Sequence, residues 1–162
     1  MNFDCKNIII QHKIFKKCYK EIEKEEKNRI FCRHDMNHFL NVARLMMILN
    51  VKEGLKISDD MIYAVALLHD IGRHLQYRKG IGHEISSAQI APLILADCRF
   101  SKDEEQQILE AILKHRNTKT SVEKNLNGLL YRADKMSRAC FCCKAESICN
   151  WSEEKKNLKL EY

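Results

Sequence analysis

The stretch from Tyr63 to Arg73 constrains the fold of this chain more than any other. It reads Tyr-Ala-Val-Ala-Leu-Leu-His-Asp-Ile-Gly-Arg, so an apolar run leads directly into His69-Asp70 and is broken at Gly72. This pattern predicts a buried helix whose last turn carries an imidazole and a carboxylate into the interior. Buried polar groups are costly unless they are paired or bind a metal. For this stretch alone, a helix that reaches the surface at a glycine cap is the alternative.

The composition favours one all-α domain. The chain has 162 residues, of which 45% are apolar and 31% charged, as is typical of a soluble globular protein with its own core. A single proline and five glycines leave little turn chemistry for a β-rich fold. We therefore expect a compact bundle of five to six main helices forming a single domain over residues 1–162.

The apolar periodicity predicts the individual helices. Asp4 is expected to cap the first, Pro92 to kink or divide the fourth, and Ser101 with Glu104 to form a capping box on the fifth. Residues 74–82 are expected to form a basic loop with two glycines. The predicted helices cover about residues 4–27, 30–52, 58–70, 83–97, 101–115 and 121–137.

Five predicted helices each direct a polar group, or a pair, toward the core. His38, for example, heads an apolar stripe that continues at Val42, Met46 and Leu49. Facing helices of a bundle are well suited to building a metal site. Four imidazoles and two carboxylates exceed what one structural zinc needs, and they match two octahedral ions that share a bridging carboxylate. The set in chain order is His38, His69, Asp70, His83, His115 and Asp134.

This order of ligands, with its local sequences, resembles the HD-domain superfamily of metal-dependent phosphohydrolases, in its dinuclear His…His-Asp…His…His…Asp subgroup. The resemblance covers about residues 33–138. The segments that carry it are His38-Phe-Leu-Asn-Val-Ala-Arg, Leu-Leu-His69-Asp70-Ile-Gly, Gly-His83-Glu, Ile-Leu-Lys-His115 and Tyr-Arg-Ala-Asp134-Lys.

The resemblance implies a ligand set for each of two divalent transition-metal ions. The first ion would be held by His38, His69, Asp70 and Asp134. The second would be held by His83 and His115, with Asp70 bridging. Iron or manganese is expected, and nickel, cobalt, zinc and magnesium are the alternatives.

The implied activity is that of a phosphohydrolase. A hydroxide bridging the two metals, with His69 and Asp70 as the catalytic pair, would cleave a phosphoester or phosphoanhydride bond. The expected substrate is a small phosphorylated molecule, with a nucleotide or a dinucleoside polyphosphate as the expected class. The candidate substrate-binding residues flank the ligands or lie in the basic segment, and each has a solvated helix face as its alternative interpretation. They are Arg73, Tyr77, Arg78, Lys114 and Arg116.

Two other function classes stay open at this stage. The same six ligands hold the mixed-valent di-iron centre of some HD-type oxygenases. A non-enzymatic nucleic-acid or regulatory module is the third class, since the net charge is +6. Lysine and glutamate are interleaved over most of the chain, however, so nucleic acid is not the expected partner.

The chain ends in a cysteine-rich tail over residues 140–162. Cys140, Cys142, Cys143 and Cys149 fall within ten residues, and they either bind an additional zinc or iron–sulfur centre or serve as small packing residues. The start of the chain lacks a signal-peptide pattern, and no apolar run approaches the roughly 18 residues of a membrane span. We therefore expect a cytoplasmic protein with reduced thiols and no membrane partner.

Overall fold

The computed structural model describes residues 4–162, and in this range the regular structure is entirely helical. The predicted all-α fold is confirmed. None of the helices in this range combines the length and the apolarity needed to cross a membrane. The α-helices are α1 Cys5–Gln11, α2 Lys13–Glu25, α3 Met36–Glu53, α4 Asp59–Leu68, α5 Arg73–Lys79, α6 His83–Leu95, α7 Lys102–Lys114 and α8 Leu126–Met136. Short 3-10 turns cover Thr118–Val122, Cys140–Cys142 and Glu146–Ile148.

Helix α4 forms the centre of the bundle. It contacts α1, α3, α7 and α8, and its side chains from Ala64 to Leu68 are at most 1% exposed. A helix that is apolar on all sides must be surrounded by other elements, which explains why the predicted buried helix lies here. The remaining large contacts join α3 to α8, α6 to α7 and α7 to α8. As a result, α4 ends inside the bundle, and the residues that follow it, His69 and Asp70, are buried.

The N-terminal helix expected over about residues 4–27 is two helices. His12 has an extended backbone (φ −63°, ψ 135°), and its Nδ1 accepts the N–H of Ile14 at 3.1 Å, so it ends α1 and caps α2. A side chain that bonds the backbone two residues on offers an alternative to the helical ladder. Asp4 precedes α1 but makes no side-chain cap bond. Residues 1–3 of the predicted domain lie outside the described range.

Part of the expected basic loop at residues 74–82 is the helix α5. It ends at Gly80, whose φ of +68° is the left-handed conformation that favours glycine. Arg78 pairs with Glu21 and Glu25 of α2, so α5 is docked against the N-terminal helices. The seven residues of this helix, Arg-His-Leu-Gln-Tyr-Arg-Lys, are too few to show a helical apolar period in the sequence.

Two other boundaries differ from the expectation. Helix α3 begins at Met36, because Asp35 caps it by accepting the N–H of His38 at 3.0 Å. The last predicted helix begins at Leu126 and is preceded by a separate 3-10 turn. The capping box of Ser101 and Glu104 is present as predicted. Pro92 lies inside α6, which is assigned as one helix.

Candidate metal centre

The bundle brings all six predicted ligands into one buried cluster. Each side chain comes from near a helix end: the first turns of α3 and α6, the residues that directly follow α4 and α7, and the last turns of α8. A helix end lets a polar side chain reach the interior while the rest of the helix packs through apolar residues. The exposed fraction of the six residues ranges from 0% to 8%, and they are His38, His69, Asp70, His83, His115 and Asp134.

Asp70 stands at the centre of the cluster and belongs to two groups of possible ligand atoms. The first group is His38, His69, Asp70 and Asp134, and the second is Asp70, His83 and His115; within each group, all ligand atoms lie within 4.8 Å of one another. The Oδ2 atom of Asp70 lies 3.2 Å from His69 Nε2 and 3.6 Å from His38 Nε2. Its Oδ1 atom lies 3.1 Å from His83 Nε2 and 3.7 Å from His115 Nε2. Each oxygen of one carboxylate thus faces its own pair of imidazoles.

The four imidazoles are all oriented through Nδ1, which leaves Nε2 directed at the carboxylates. His69 Nδ1 lies 2.8 Å from the carbonyl oxygen of Ala66, and His115 Nδ1 lies 2.6 Å from that of Ile112. His38 Nδ1 lies 3.1 Å from Ser137 Oγ, and His83 Nδ1 contacts Gln76 Oε1. An acceptor at one ring nitrogen fixes the tautomer and orients the other nitrogen, as is usual for metal-bound histidines.

The cluster contains polar atoms that the protein itself does not satisfy. Among the described residues, His69 Nε2 and Asp70 Oδ1 are fully buried and make no hydrogen bond. Buried polar atoms are normally paired, and an orphaned one indicates a bound ion, a bound water or another functional role. Imidazole and carboxylate donors, with one carboxylate available to both groups, fit two divalent transition-metal ions. These residues therefore fit the metals that the sequence implies.

The charges of the cluster also favour a cation. Burial opposes ionisation of Asp70, but the neighbouring imidazoles, above all the charged ring of His69, outweigh it and hold the pKa of Asp70 well below its usual range. For Asp134, Lys135 is the largest of the influences that outweigh burial and lower the pKa. Burial lowers the pKa of His38 to about 4, so this ring is neutral and able to bind a metal at neutral pH.

His69 and His83 show opposite shifts within the same cluster. Burial would lower the pKa of His69, but the neighbouring carboxylates Asp70 and Asp134 raise it to about 10. Burial lowers the pKa of His83 to about 3, and the positive charge of Arg73 adds to the effect. Positive charge is therefore favoured beside the two carboxylates, where the first ion would lie.

A fifth imidazole, His34, was not among the predicted ligands. It precedes α3, is 5% exposed, and its Nε2 lies 3.7 Å from Asp70 Oδ2. Its Nδ1 contacts the carboxylate of Glu26, which is 3% exposed and also accepts the His34 backbone N–H at 2.7 Å. The sequence signal was its position one turn before His38, but nothing in the sequence linked it to Glu26.

A cavity of about 230 Å³ opens onto the cluster. His34, Asp70, His83, His115 and Asp134 form part of its wall. Basic side chains from four parts of the chain surround these residues, together with the aromatic rings of Tyr131 and Trp151. The basic residues that line the cavity are Arg73, Arg116, Lys135, Arg138 and Lys155.

Arg138 is the most deeply buried of these cations and was not predicted. Arg138 is 8% exposed, and its Nη2 atom lies 3.2 Å from His38 Nε2. Its Nη1 donates to the carbonyl oxygen of Arg33 at 2.8 Å, which fixes the guanidinium beside the ligands. Arg138 follows the last residue of α8 by two positions, so its side chain reaches the cluster from the segment that leaves this helix.

The candidate substrate-binding residues fall into two sets. Arg73 and Arg116 line the cavity; Arg73 Nη1 lies 2.9 Å from His83 Nδ1, and Arg116 pairs with Glu84 at 3.1 Å. Tyr77, Arg78 and Lys114 are not among the residues that line it.

Those three side chains have partners elsewhere. The hydroxyl of Tyr77 donates to Glu26 at 2.6 Å, and Lys114 pairs with Glu110 at 2.5 Å. Arg78 pairs with the acidic residues of α2. Helix α5 turns Tyr77 and Arg78 toward α2 and away from the cavity.

Comparisons with known proteins identify the family of the chain. The family model described as "HD domain" matches residues 36–139. An uncharacterized protein of Clostridium beijerinckii is 46% identical over 143 residues, which cover 88% of this chain and 89% of that protein. The crystal structure of a predicted HD superfamily hydrolase from an uncultured Thermotogales bacterium has a similar fold, with a TM-score of 0.61, 22% identity, and coverage of 88% of this chain and 81% of that one. The chain described here belongs to the HD-domain family.

Proposed function

We propose that this chain is a metal-dependent phosphohydrolase that cleaves a phosphoester or phosphoanhydride bond in a small phosphorylated molecule, with a nucleotide as the expected class. The observation that carries the proposal is the position of Asp70. One buried carboxylate faces two separate pairs of imidazoles, which suits a carboxylate that bridges two adjacent ions. Two divalent cations would supply a nucleophile from water at neutral pH and neutralise charge on a phosphoryl group.

The cavity supports a phosphorylated substrate. Its basic side chains come from different elements, so they surround the entrance instead of lying along one solvated helix face. Guanidinium groups bind phosphate oxygens through two parallel hydrogen bonds, and Arg73, Arg116 and Arg138 all line the cavity. A volume of about 230 Å³ is small among ligand pockets, which favours a compact substrate.

His34 supplies an acceptor beside the carboxylate of Asp70. Burial lowers the pKa of His34, so the ring is neutral; with Nδ1–H donated to Glu26, its Nε2 carries a free lone pair. At 3.7 Å from Asp70 Oδ2, this lone pair can accept a hydrogen bond from the attacking water and orient it. His34 would act as His-carboxylate pairs do in other hydrolases, with Glu26 as the orienting group.

The nucleotide class rests on the aromatic part of the cavity wall. Trp151 and Tyr131 both line the cavity, and an indole or phenol ring can stack on a base. They replace Tyr77 as the expected stacking residues, because the Tyr77 hydroxyl is held by Glu26.

The test combines metal analysis with a substrate screen. Protein purified without chelators should contain two transition-metal ions per chain at the Asp70 cluster and should hydrolyse members of a panel of nucleotides and generic phosphoesters. Asp70→Ala should lose both metals and fall to background activity. Asp103→Ala, which changes an exposed carboxylate on α7, is the matched control and should retain both.

Either of two results would contradict the proposal. The first is near-normal metal content and turnover in Asp70→Ala. The second is oxygen consumption in place of phosphate release by the metal-loaded wild type.

A further inference from the structure

Four cysteines from two distant parts of the chain line one small cavity. Cys32 lies between α2 and α3, whereas Cys140, Cys143 and Cys149 follow α8. All four are free thiols; Cys140 is buried and the other three are half-buried. Cys142 is exposed and is not among the residues that line this cavity. The cysteines that converge therefore differ from the four of the tail alone, because Cys32 takes the place of Cys142.

The backbone of the tail turns at three-residue intervals that start and end at these cysteines. The N–H of Cys143 donates to the carbonyl of Cys140 at 3.2 Å, and the N–H of Glu146 donates to that of Cys143 at 3.1 Å. The N–H of Cys149 then donates to the carbonyl of Glu146 at 3.2 Å. Such i→i+3 turns bring residues three apart onto the same side of the chain. The three tail cysteines consequently meet at the cavity that Cys32 closes.

The tail has little else to hold its shape. Beyond α8, its regular structure in the described residues consists of two three-residue 3-10 turns. It is tied to the bundle by few bonds, such as that from Asn157 Nδ2 to the carbonyl of Met136 at 2.9 Å. Short segments without a substantial core usually need a disulfide or a metal to be stable. Cys32, Cys140, Cys143 and Cys149 form no disulfide among the described residues, and their sulfur atoms are a donor set for a metal that would cross-link the tail to the bundle.

The thiols are close enough to influence one another electrostatically. Burial raises the pKa of Cys32, and the neighbouring Cys140, Cys143 and Cys149 raise it further, while Arg138 opposes them. Four thiolates around one cavity would repel each other. A shared cation removes that repulsion, as it does at tetrathiolate sites.

The spacing of the sulfur atoms distinguishes between a single zinc ion and an iron–sulfur cluster, the two usual occupants of a four-cysteine site. On a single zinc, with a Zn–S distance of about 2.3 Å, four sulfur atoms lie within roughly 4 Å of one another. Among residues 4–162, the groups of three or more ligand atoms within 4.8 Å of one another are the two around Asp70, so the cysteine sulfurs are more widely spaced. A larger occupant suits that spacing.

We propose that Cys32, Cys140, Cys143 and Cys149 hold an iron–sulfur cluster that is separate from the metal centre at Asp70. Soft thiolate ligands and the adjacent rings of Phe31 and Trp151 match the surroundings of such clusters.

The cluster would fasten the tail over the candidate active site. Trp151 lines both the cysteine cavity and the cavity above Asp70, and Lys155 from the same tail lines the latter. Loss of the cluster would release this part of the cavity wall. Its effect on hydrolysis would therefore be a rise in KM, with the ligands of the Asp70 centre left in place.

The experiment measures iron and acid-labile sulfide in full-length protein purified without oxygen. Sulfide reports the cluster alone, because iron at the Asp70 centre brings none. A four-iron cluster would give roughly four sulfides per chain with broad visible absorbance. Trp151 is the single tryptophan, so its fluorescence should be quenched by the cluster and should rise when the cluster is lost.

Variants identify the ligands. Cys32→Ser and Cys143→Ser should each lower sulfide to background while the far-ultraviolet circular dichroism stays helical. The matched control Cys142→Ser should keep wild-type sulfide and visible absorbance.

Three results would overturn the proposal. One is wild-type protein that holds no labile sulfide even after anaerobic reconstitution with iron and sulfide, a measurement that needs no variant to fold. Another is one zinc per chain bound through these cysteines. The third is a loss in Cys142→Ser equal to that in Cys32→Ser.

Discussion

The Nε2 atom of His34 lies 3.7 Å from the Oδ2 atom of Asp70, the same oxygen that His38 and His69 face. His34 differs from those two rings because its Nδ1 is held by a buried carboxylate, Glu26, instead of a carbonyl or hydroxyl oxygen. It also lies outside the groups of closely spaced ligand atoms in the described residues. Its position therefore favours contact with water or substrate over metal binding.

Replacing His34 with Gln should lower kcat by about 100-fold, the lower end of what a positioned acid–base group contributes. Metal content and KM should change little, because the ligands and the basic side chains remain. The measurements are steady-state kinetics and metal analysis of the same preparation. His12→Asn, which changes a histidine that caps α2, is the control and should have wild-type kinetics. Loss of metal in parallel with kcat would identify His34 as a ligand instead.

His83→Ala and His115→Ala should each lower the metal content from two ions per chain toward one. His83 and His115 face Asp70 Oδ1, whereas His38 and His69 face Oδ2. Each substitution therefore removes a ligand from only one of the two sites. Elemental analysis and circular dichroism check the stoichiometry and the fold. If either variant loses all metal, or loses none, the assignment of these histidines to a distinct second ion is wrong.

Arg116→Ala should raise KM for phosphorylated substrates by roughly 5- to 30-fold, equivalent to about 1–2 kcal/mol for a charge-assisted hydrogen bond. Arg116 lines the cavity, while Arg78 is an arginine of similar exposure that pairs with Glu21 and Glu25. Arg78→Ala is therefore the matched control, with KM expected to stay unchanged. An equal rise in both variants would indicate a general electrostatic effect in place of a contact with substrate.

Glu26 should make stability depend on pH in the acidic range. Burial opposes its ionisation, but bonds from His34 and Tyr77 lower its pKa from 4.5 to about 2. Because the folded-state pKa is depressed, the stabilisation is complete above pH 4.5 and is lost as the pH falls toward 2. The free energy of unfolding of the wild type should exceed that of Glu26→Gln by about 3 kcal/mol at neutral pH. This difference should vanish as the pH falls from 4.5 to about 2.

Urea denaturation of chelator-treated protein at a series of pH values measures this difference. Glu23→Gln changes an exposed carboxylate one turn earlier on α2 and serves as the control. A difference between wild type and Glu26→Gln that stays constant from pH 7 to pH 2 would contradict the linkage.

Gly72→Ala should destabilise the fold by roughly 1–3 kcal/mol, the cost of overpacking, and should disturb the nearby Asp70. A Cβ atom at Gly72 would lie 2.4 Å from Ser86 Oγ and 2.5 Å from the backbone nitrogen of Ser87. The same backbone is held by a bond from the Gly72 N–H to Ser87 Oγ at 2.9 Å. Gly82→Ala, whose Cβ would meet only the flexible Glu84 carboxylate, should cost less. Equal unfolding free energies for the two variants would contradict this explanation.

The sequence by itself predicted the helical fold class and the six residues of the cluster around Asp70. Both rest on local patterns: an apolar helix that ends in His69-Asp70, and stripes with a 3.6-residue period that each carry one polar position. A stripe defines which residues face the core, and a buried polar residue on a stripe must meet another polar group there. Chain order and spacing were therefore sufficient to nominate the cluster.

The tertiary structure alone decided which other residues reach the site. Glu26 contacts His34 across the gap between α2 and α3, and helix α5 turns Arg78 and Tyr77 toward α2 and away from the cavity. Cys32 lines the same cavity as three cysteines that lie more than one hundred positions later in the chain. These contacts depend on how the helices pack and on segments without a regular period, so no local pattern in the sequence encodes them.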